Sequence, residues 1–411
     1  MNASSPTPGG VRIGILGVNF GWGPHAALET VISEIRRTVP GDCQVVAFGS
    51  EYGRSLMRNV VDEWCEFDGS DYEALTRAAA AKDLDVALVT LDGFAARAFE
   101  AAGVRTVFVD LMPFLWHGAD LAVPPLEVSR YLALRLPGLS QQTLDWMRGI
   151  RNLQWIGAVV PWQPQATTRH TYRYAEGNRR AIVTLGGMLG LTMRDTTIYP
   201  SLVLPGAIEA LIETGFESIL IAVNTPQADL DALVAPYVGR AEFSFGPLAR
   251  SEYRTRIAES ALCLSQPGLM SLLEASSCGT PLIRMPPQNV SGFQQAEIHR
   301  MATGAHTGVK WPTDVVDEAV AGQKAAETEA AGNDYVYEAI ADGLRHRSDA
   351  TRLSIRGQLE KAIPECLALP ADIWTGLVEK VGADGAKTAA EVVLETARAA
   401  RRSDGAAWPG P

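Results

Sequence analysis

The sequence is short of several things, and each shortage removes a class of function. No uninterrupted apolar run approaches the roughly 20 residues of a membrane span. Basic charge is in deficit: 36 Lys and Arg stand against 47 Asp and Glu, a net charge of −11 and a pI near 5.2. A nucleic-acid binder needs a basic surface, so that class is set aside. Cysteine is sparse. The five (Cys43, Cys65, Cys263, Cys278, Cys366) are odd in number and lack CxxC spacing. This argues against a disulfide frame or a zinc site and predicts reduced thiols in a cytoplasmic protein. The opening MNASSPTPGG has neither a basic n-region nor an apolar h-region, so it does not read as a signal peptide. HExxH, GxSxG, the P-loop and GxGxxG are all missing. Two Asp-Leu-Asp triplets (Asp83 to Asp85, Asp229 to Asp231) are discounted as metal sites, because one leads into a strand and the other lies in a helix.

What remains is enough for two full cores. The chain has 411 residues, 47% of them hydrophobic, and two domains are the natural expectation. Short β-rich runs alternate with helical segments, which predicts parallel sheets covered by helices. The first series has strands at Val11–Val18, Gln44–Gly49, Asp85–Leu91, Val104–Met112 and Leu153–Pro161, with helices at His25–Arg37, Asp71–Ala81 and Phe94–Ala102. Leu121–Met147 reads as mostly helical. A second series starts at Ala181–Gly187 and continues through Ser218–Val223, Ala241–Phe245 and Ala261–Gln266, with helices at Leu202–Thr214 and Ser251–Glu259. Asp314–Ala331 reads as a solvated helix or a mobile link, and Thr351–Cys366 and Ala386–Arg402 as better helices. Expected boundaries are a disordered lead-in (1–10), a first Rossmann-like domain (11–165), a linker (166–178), a second Rossmann-like domain (179–350), C-terminal helices that return to the first domain (351–402), and a tail (403–411).

The most informative stretch runs from Leu264 to Arg300. It reads strand, Gly turn, helix, Gly turn, strand, loop, helix. Glu274 sits inside the first helix, and Gln294 and Gln295 open the second. A helix N-terminus beside a carboxylate and two amides suits a diphosphate joined to a ribose and a sugar.

Ser265, Pro267, Gly268, Glu274, Gly279, Pro281, Pro286 and Gln294 resemble the motif of the GT-B glycosyltransferases. Within them they are most similar to the branch of the peptidoglycan N-acetylglucosaminyltransferase and the UDP-glycosyltransferases. The outline covers nearly the whole chain, and the specific motif about a tenth of it. The resemblance implies an α/β GT-B fold, two Rossmann-like parallel-sheet domains facing across a cleft, and inverting transfer of a sugar from a nucleotide-sugar. It implies that Glu274 holds the ribose hydroxyls, that Pro267, Gly268, Leu269 and Met270 hold the diphosphate, and that Gln294, with Gln295, lies against the sugar. Two departures, Phe293 where an acidic residue is usual and Glu297 where Asn is usual, bear on the donor sugar. GILGVNFGWGP is also similar to the N-terminal loop of cytosylglucuronate synthases, which join cytosine to UDP-glucuronate in nucleoside-antibiotic pathways.

Further candidates surround this core. Thr184, Gly186 and Gly187 end the first strand of the second series, where backbone N–H groups meet donor phosphates in the resembled family; Arg194 would meet a phosphate or a sugar carboxylate. Gly17, Asn19, Phe20, Gly21, Trp22 and Gly23 form the acceptor loop, its glycines allowing close approach and its rings offering flat faces. His25, matching a catalytic His of many UDP-glycosyltransferases, is the candidate base; packing at a helix start is the plainer reading. Asp110 and His117 would orient His25 or an acceptor amine, against a plain capping Asp and loop His. No metal or other cofactor is expected beyond the donor, since the helix N-terminus replaces a metal at the leaving diphosphate. The expected partners are the nucleotide-sugar and a small acceptor. A nucleotide-sugar 2-epimerase and a non-catalytic partner subunit are the alternatives.

Overall fold

The computed structural model describes residues 10–161, 174, 176–187 and 195–403. The chain divides into two compact units. The first comprises Met1–Trp116, Asp120–Pro161 and Val381–Pro411, and the second His117–Ala119 and Trp162–Lys380. The expected lead-in up to residue 9, the expected tail from residue 404 and most of the expected linker lie outside the described residues.

The first unit holds a seven-stranded parallel sheet in the order β3-β2-β1-β4-β5-β6-β7. The strands are β1 (Val11–Gly17), β2 (Cys43–Gly49), β3 (Glu63–Glu66), β4 (Val86–Thr90), β5 (Thr106–Asp110), β6 (Arg130–Leu134) and β7 (Leu153–Ile156). Helices α1 (Gly23–Thr38), α2 (Glu51–Met57), α3 (Tyr72–Ala80), α4 (Gly93–Ala101) and α5 (Gln141–Met147) accompany them. β4 and β5 are buried at every position, as a parallel sheet covered on both faces requires. Phe48, Phe99, Phe108 and Tyr131 share one apolar cluster with residues of α3 and α4.

Leu121–Met147 is corrected: it is not mostly helical. It contains a 3-10 turn at Gly118–Ala122, strand β6 and only the short helix α5. Leu132, Ala133 and Leu134 are good helix formers, but burial between β5 and β7 overrides that preference.

The second unit holds a five-stranded parallel sheet in the order β10-β9-β8-β11-β12. Its elements follow in sequence: β8 (Arg180–Gly186), α6 (Ile198–Glu213), β9 (Ser218–Val223), α7 (Gln227–Val234), β10 (Glu242–Gly246), α8 (Arg250–Glu259), β11 (Leu262–Ser265), α9 (Leu269–Cys278), β12 (Leu282–Arg284) and α10 (Val290–Thr303). Then come α11 (Glu318–Ala325), α12 (Glu329–His346), α13 (Ser348–Ala368) and α14 (Gly376–Val381). Asp317 caps α11 and Thr328 caps α12, so the region read as one solvated helix or link is broken into two capped helices.

The C-terminal helices divide between the units. α13 lies along α6: a Cβ at Gly206 would sit 2.5 Å from the Arg352 carbonyl oxygen, and Arg352 pairs with Glu209 at 2.8 Å. α15 (Gly385–Ser403) packs instead on α1 and β4 of the first unit. Gly385 meets Gly157 so closely that a Cβ would lie 2.0 Å from its carbonyl oxygen. At the other end of α15, Arg401 donates to both Asp85 oxygens at 2.6 Å and to the Gly10 carbonyl at 2.5 Å.

Renumbered within its own unit, each sheet starts with the order 3-2-1-4-5. In this topology the strand order reverses between β1 and β4, and between β8 and β11. Ligands of open parallel sheets bind beyond the carboxyl ends of the strands at that reversal. Among the described residues no helix is long and apolar enough to cross a membrane.

Candidate functional site

In the second unit the reversal point is framed by backbone. Ser265 at the end of β11 is paired with Thr184 of β8. β8 runs on into Gly186, whose φ of +72° favours glycine and whose Cβ position is open space. Gly246 at the end of β10 has a φ of +127° and is also open. The turn after β11 is tight, with the Gly268 amide donating to the Gln266 carbonyl at 2.7 Å. Gly268 is the N-cap of α9 and has no side chain with which to cap it. The first amides of α9 are therefore left for another acceptor.

The neighbouring helix is different. Asn289 caps α10, its Oδ1 accepting from the Gly292 amide at 2.8 Å and from Ser291 Oγ at 3.0 Å. The two helix starts are close, since a Cβ at Gly292 would lie 3.4 Å from the Pro267 carbonyl oxygen. The Gln pair does not open α10, as the sequence suggested. The helix begins at Val290, and the pair falls in its second turn, with Gln294 exposed and Gln295 buried.

The structure thus brings Thr184, Gly186, Gly187, Ser265, Pro267, Gly268, Leu269 and Met270 to the carboxyl ends of β8 and β11, with Glu274 one turn further along α9. Some of their side chains are already engaged. Ser265 Oγ donates to the Gln266 carbonyl at 2.8 Å, so it braces the turn. Thr184 Oγ1 bonds the Tyr253 hydroxyl at 2.9 Å, which in turn donates to Ser271 Oγ at 3.1 Å. Asn224 Nδ2 donates to the Gly187 carbonyl at 3.2 Å. Glu274 is buried in α9, and Arg250 Nη2 lies 2.9 Å from its Oε1. Burial pushes the Glu274 carboxyl up, and Arg250 and Arg254 oppose that shift. Arg194 lies outside the described residues.

Arg250, Tyr253, Arg254 and Ser271 were missed in the sequence. The signal was present in α8. Positions i, i+3, i+4 and i+7 of its packed face are Arg250, Tyr253, Arg254 and Ile257, and only the last is aliphatic. A helix that packs on its neighbours through a polar stripe breaks the usual pattern, and such breaks mark working sites.

In the first unit the loop after β1 is partly exposed. The Val18 amide donates to the Thr90 carbonyl at 3.1 Å and the Phe20 amide to the Val18 carbonyl at 2.8 Å. Gly17 is buried against Leu28, Pro24 and the His25 amide. Gly21 takes a φ of +59° over open space, Asn19 and Phe20 are half-buried, and half-buried Trp22 is the N-cap of α1, which begins at Gly23.

The candidate catalytic residues are less available than the sequence suggested. His25 is only 4% exposed, and a Cβ at Gly53 of α2 would lie 2.6 Å from its Nε2. Burial lowers its pKa to about 4, so the imidazole is neutral at pH 7. Asp110 is corrected: it does not orient His25. It is fully buried and accepts from Trp116 Nε1 at 2.6 Å, the Tyr131 hydroxyl at 2.7 Å and the Met112 amide at 3.0 Å. His117 is half-buried and clusters with the second unit.

His25 has a consequence for stability. The unfolded chain binds a proton near pH 6.5 and the folded chain only near pH 4, so stability is fully present above pH 6.5 and is lost as pH falls towards 4. That contribution is about 3 kcal/mol. Urea unfolding at pH 7 and pH 4.5 should show a smaller acid loss in His25→Gln than in the parent chain. An equal loss in both would contradict this account.

No family model matches the sequence, and no curated protein matches it. Solved structures do match in fold. The Arabidopsis thaliana protein UGT89C1, solved with UDP-L-rhamnose, superposes with a TM-score of 0.53 at 12% identity, over 95% of this chain and 100% of that one. The glycotransferase of kitacinnamycin gives a TM-score of 0.54 at 13% identity, over 95% and 100%. A Listeria monocytogenes protein assigned as a UDP-N-acetylglucosamine 2-epimerase gives 0.53 at 12%, over 97% and 98%. At these identities the likeness establishes the fold: two Rossmann-like parallel-sheet domains of the GT-B type.

Proposed function

We propose that this chain is an inverting glycosyltransferase that moves a sugar from a UDP-linked donor to a small acceptor. The observation that carries the reading is the uncapped start of α9 at the strand-order reversal, with the Glu274 carboxylate on the same helix. The amides after Gly268 and those of the Gly186–Gly187 turn would hold the diphosphate. Glu274 would accept from the ribose hydroxyls, and Gln294 and Gln295 would lie against the sugar. Arg194 is assigned to a phosphate or a sugar carboxylate from the sequence alone.

The chemistry is one in-line displacement. The acceptor attacks the anomeric carbon, the bond to the diphosphate oxygen breaks, and configuration inverts. Charge grows on the leaving diphosphate, where the positive end of α9 stabilises it. The acceptor is assigned to the loop Gly17–Gly23 and its two rings. His25 is the candidate base, although a group with a pKa of about 4, packed beneath α2, is a weak acceptor of protons. His117 is the other candidate. A pyrimidine ring nitrogen as nucleophile would need no strong base, which agrees with the narrower reading of UDP-glucuronate and cytosine as substrates. We place the protein in the cytoplasm on its scattered cysteines.

The structures similar in fold include one solved with UDP and one assigned as an epimerase. An epimerase needs acidic groups at the sugar, and the loop Gly17–Pro24 has none. Against a non-catalytic subunit stand the Glu274 carboxylate on α9 and the intact glycine turns.

Thermal-shift screening tests the reading with UDP, TDP, GDP, UDP-glucose, UDP-N-acetylglucosamine and UDP-glucuronate. UDP at about 100 times its Kd adds about 2.7 kcal/mol of stability. A larger shift with UDP-glucuronate than with UDP-glucose, plus UDP release on adding cytosine, would establish the narrow form. No response to any nucleotide would remove the assignment.

A further inference from the structure

We propose that Arg250 is a positioning residue of the donor site, holding the Glu274 carboxylate charged and in one orientation so that it can accept from the ribose hydroxyls. The proposal rests on the donor-site reading of Glu274 given above.

The argument starts from α8. Its face towards α9 and β8 carries Arg250, Tyr253, Arg254 and Ile257. Apolar residues at the first three positions would pack a helix at least as well. A buried ion pair is weak evidence of stability, because desolvation offsets the attraction. The Arg250–Glu274 pair is such a case: the atoms are 2.9 Å apart, and the side chains are 11% and 4% exposed. Tyr253 ties the same helix to the donor edge at two points, Thr184 on β8 and Ser271 in the first turn of α9. α8 is therefore tied to the turn that would hold the diphosphate, and its Arg250 charge lies beside the carboxylate.

The chemistry gives that pairing a use. An ionised carboxylate only accepts, and its two oxygens offer about four lone-pair sites. Arg250 sets its positive charge 2.9 Å from one of those oxygens. A protonated carboxyl would present a donor to two hydroxyls and lose charge-assisted bonding. Burial favours that protonated form, and the opposing charges come from Arg250 and Arg254 of α8. The Tyr253 phenol of α8 also faces Glu274, and the Cys263 thiol of β11 faces Tyr253. Burial pushes both upward, so neither carries charge near neutral pH.

The test is UDP affinity by calorimetry from pH 6.5 to 9, on the full chain and its variants. The unsubstituted protein should bind with a nearly flat profile. Arg250→Met keeps the stem and removes the charge. It should bind at least tenfold more weakly at pH 6.5, with the gap closing as pH rises and Glu274 ionises unaided. Arg250→Lys should restore most of the affinity at every pH. Adding Arg250→Met to Glu274→Gln should change affinity less than twofold. That double variant carries the test if Arg250→Met alone fails to fold. Equal weakening at every pH, or a further tenfold loss in the Glu274→Gln background, would make Arg250 merely structural and overturn the proposal. Failure of the unsubstituted protein to bind UDP is a separate result, and it would end the donor reading itself.

Discussion

A Glu274→Gln chain should bind UDP about a hundredfold more weakly than the parent chain. The substitution keeps the shape of the side chain and removes its charge. Charge-assisted hydrogen bonds to the ribose hydroxyls become weaker neutral ones, and a loss of about 2.7 kcal/mol corresponds to that hundredfold change. The variant also leaves Arg250 beside a neutral partner in a nearly closed site. Stability should therefore fall by about 1–3 kcal/mol, and affinity should be measured well below the unfolding transition. Calorimetric titration at 15 °C separates the two effects. Affinity within twofold of the parent would remove Glu274 from the donor site.

Asp110→Ala should show the opposite pattern, a large loss of stability with UDP affinity unchanged in the folded fraction. The carboxylate satisfies three buried donors: the Trp116 indole, the Tyr131 hydroxyl and the Met112 amide. Removing it leaves all three unpaired, at roughly 1–3 kcal/mol each before relaxation, so a total of about 3–5 kcal/mol is expected. Urea unfolding and UDP titration on one preparation check both halves. A parent-like unfolding midpoint with lost binding would return Asp110 to the list of functional groups. The site also has a pH signature. Burial raises the Asp110 pKa to about 6, above its usual value of 3.8, and the three donors pull the other way. Between those values the unfolded chain releases the proton and the folded chain keeps it, so this contribution to stability falls as pH rises from about 4 to about 6. It amounts to about 3 kcal/mol, and Asp110→Asn should flatten it.

These two carboxylates show how far the sequence could be read. Glu274 is proposed for the donor site because the order of strand, turn and helix places a carboxylate on the helix that starts at the turn after β11. Asp110 followed the same rule, being the last residue of a strand in an open sheet, and the rule misled. Its partners Trp116 and Tyr131 lie 6 and 21 residues away, and the second is on β6, a strand hidden inside an apparent helix. The Arg250–Glu274 pair was missed for a related reason. Each residue has an ordinary local context, and only the packing of α8 on α9 makes them partners.

Local pattern alone determined the fold class of this protein. Apolar runs too short to cross a membrane, alternating with helical segments, leave two parallel sheets as the solution that buries them. Glycine and proline mark where strands turn into helices, because backbone conformation is a local property. Burial and partnership are not local. That His25 lies beneath Gly53, that Asp110 is consumed by its own fold, and that α13 stays with the second sheet while α15 joins the first all depend on residues distant in sequence. Those contacts form only when the sheets and helices pack, so only the tertiary structure could decide them.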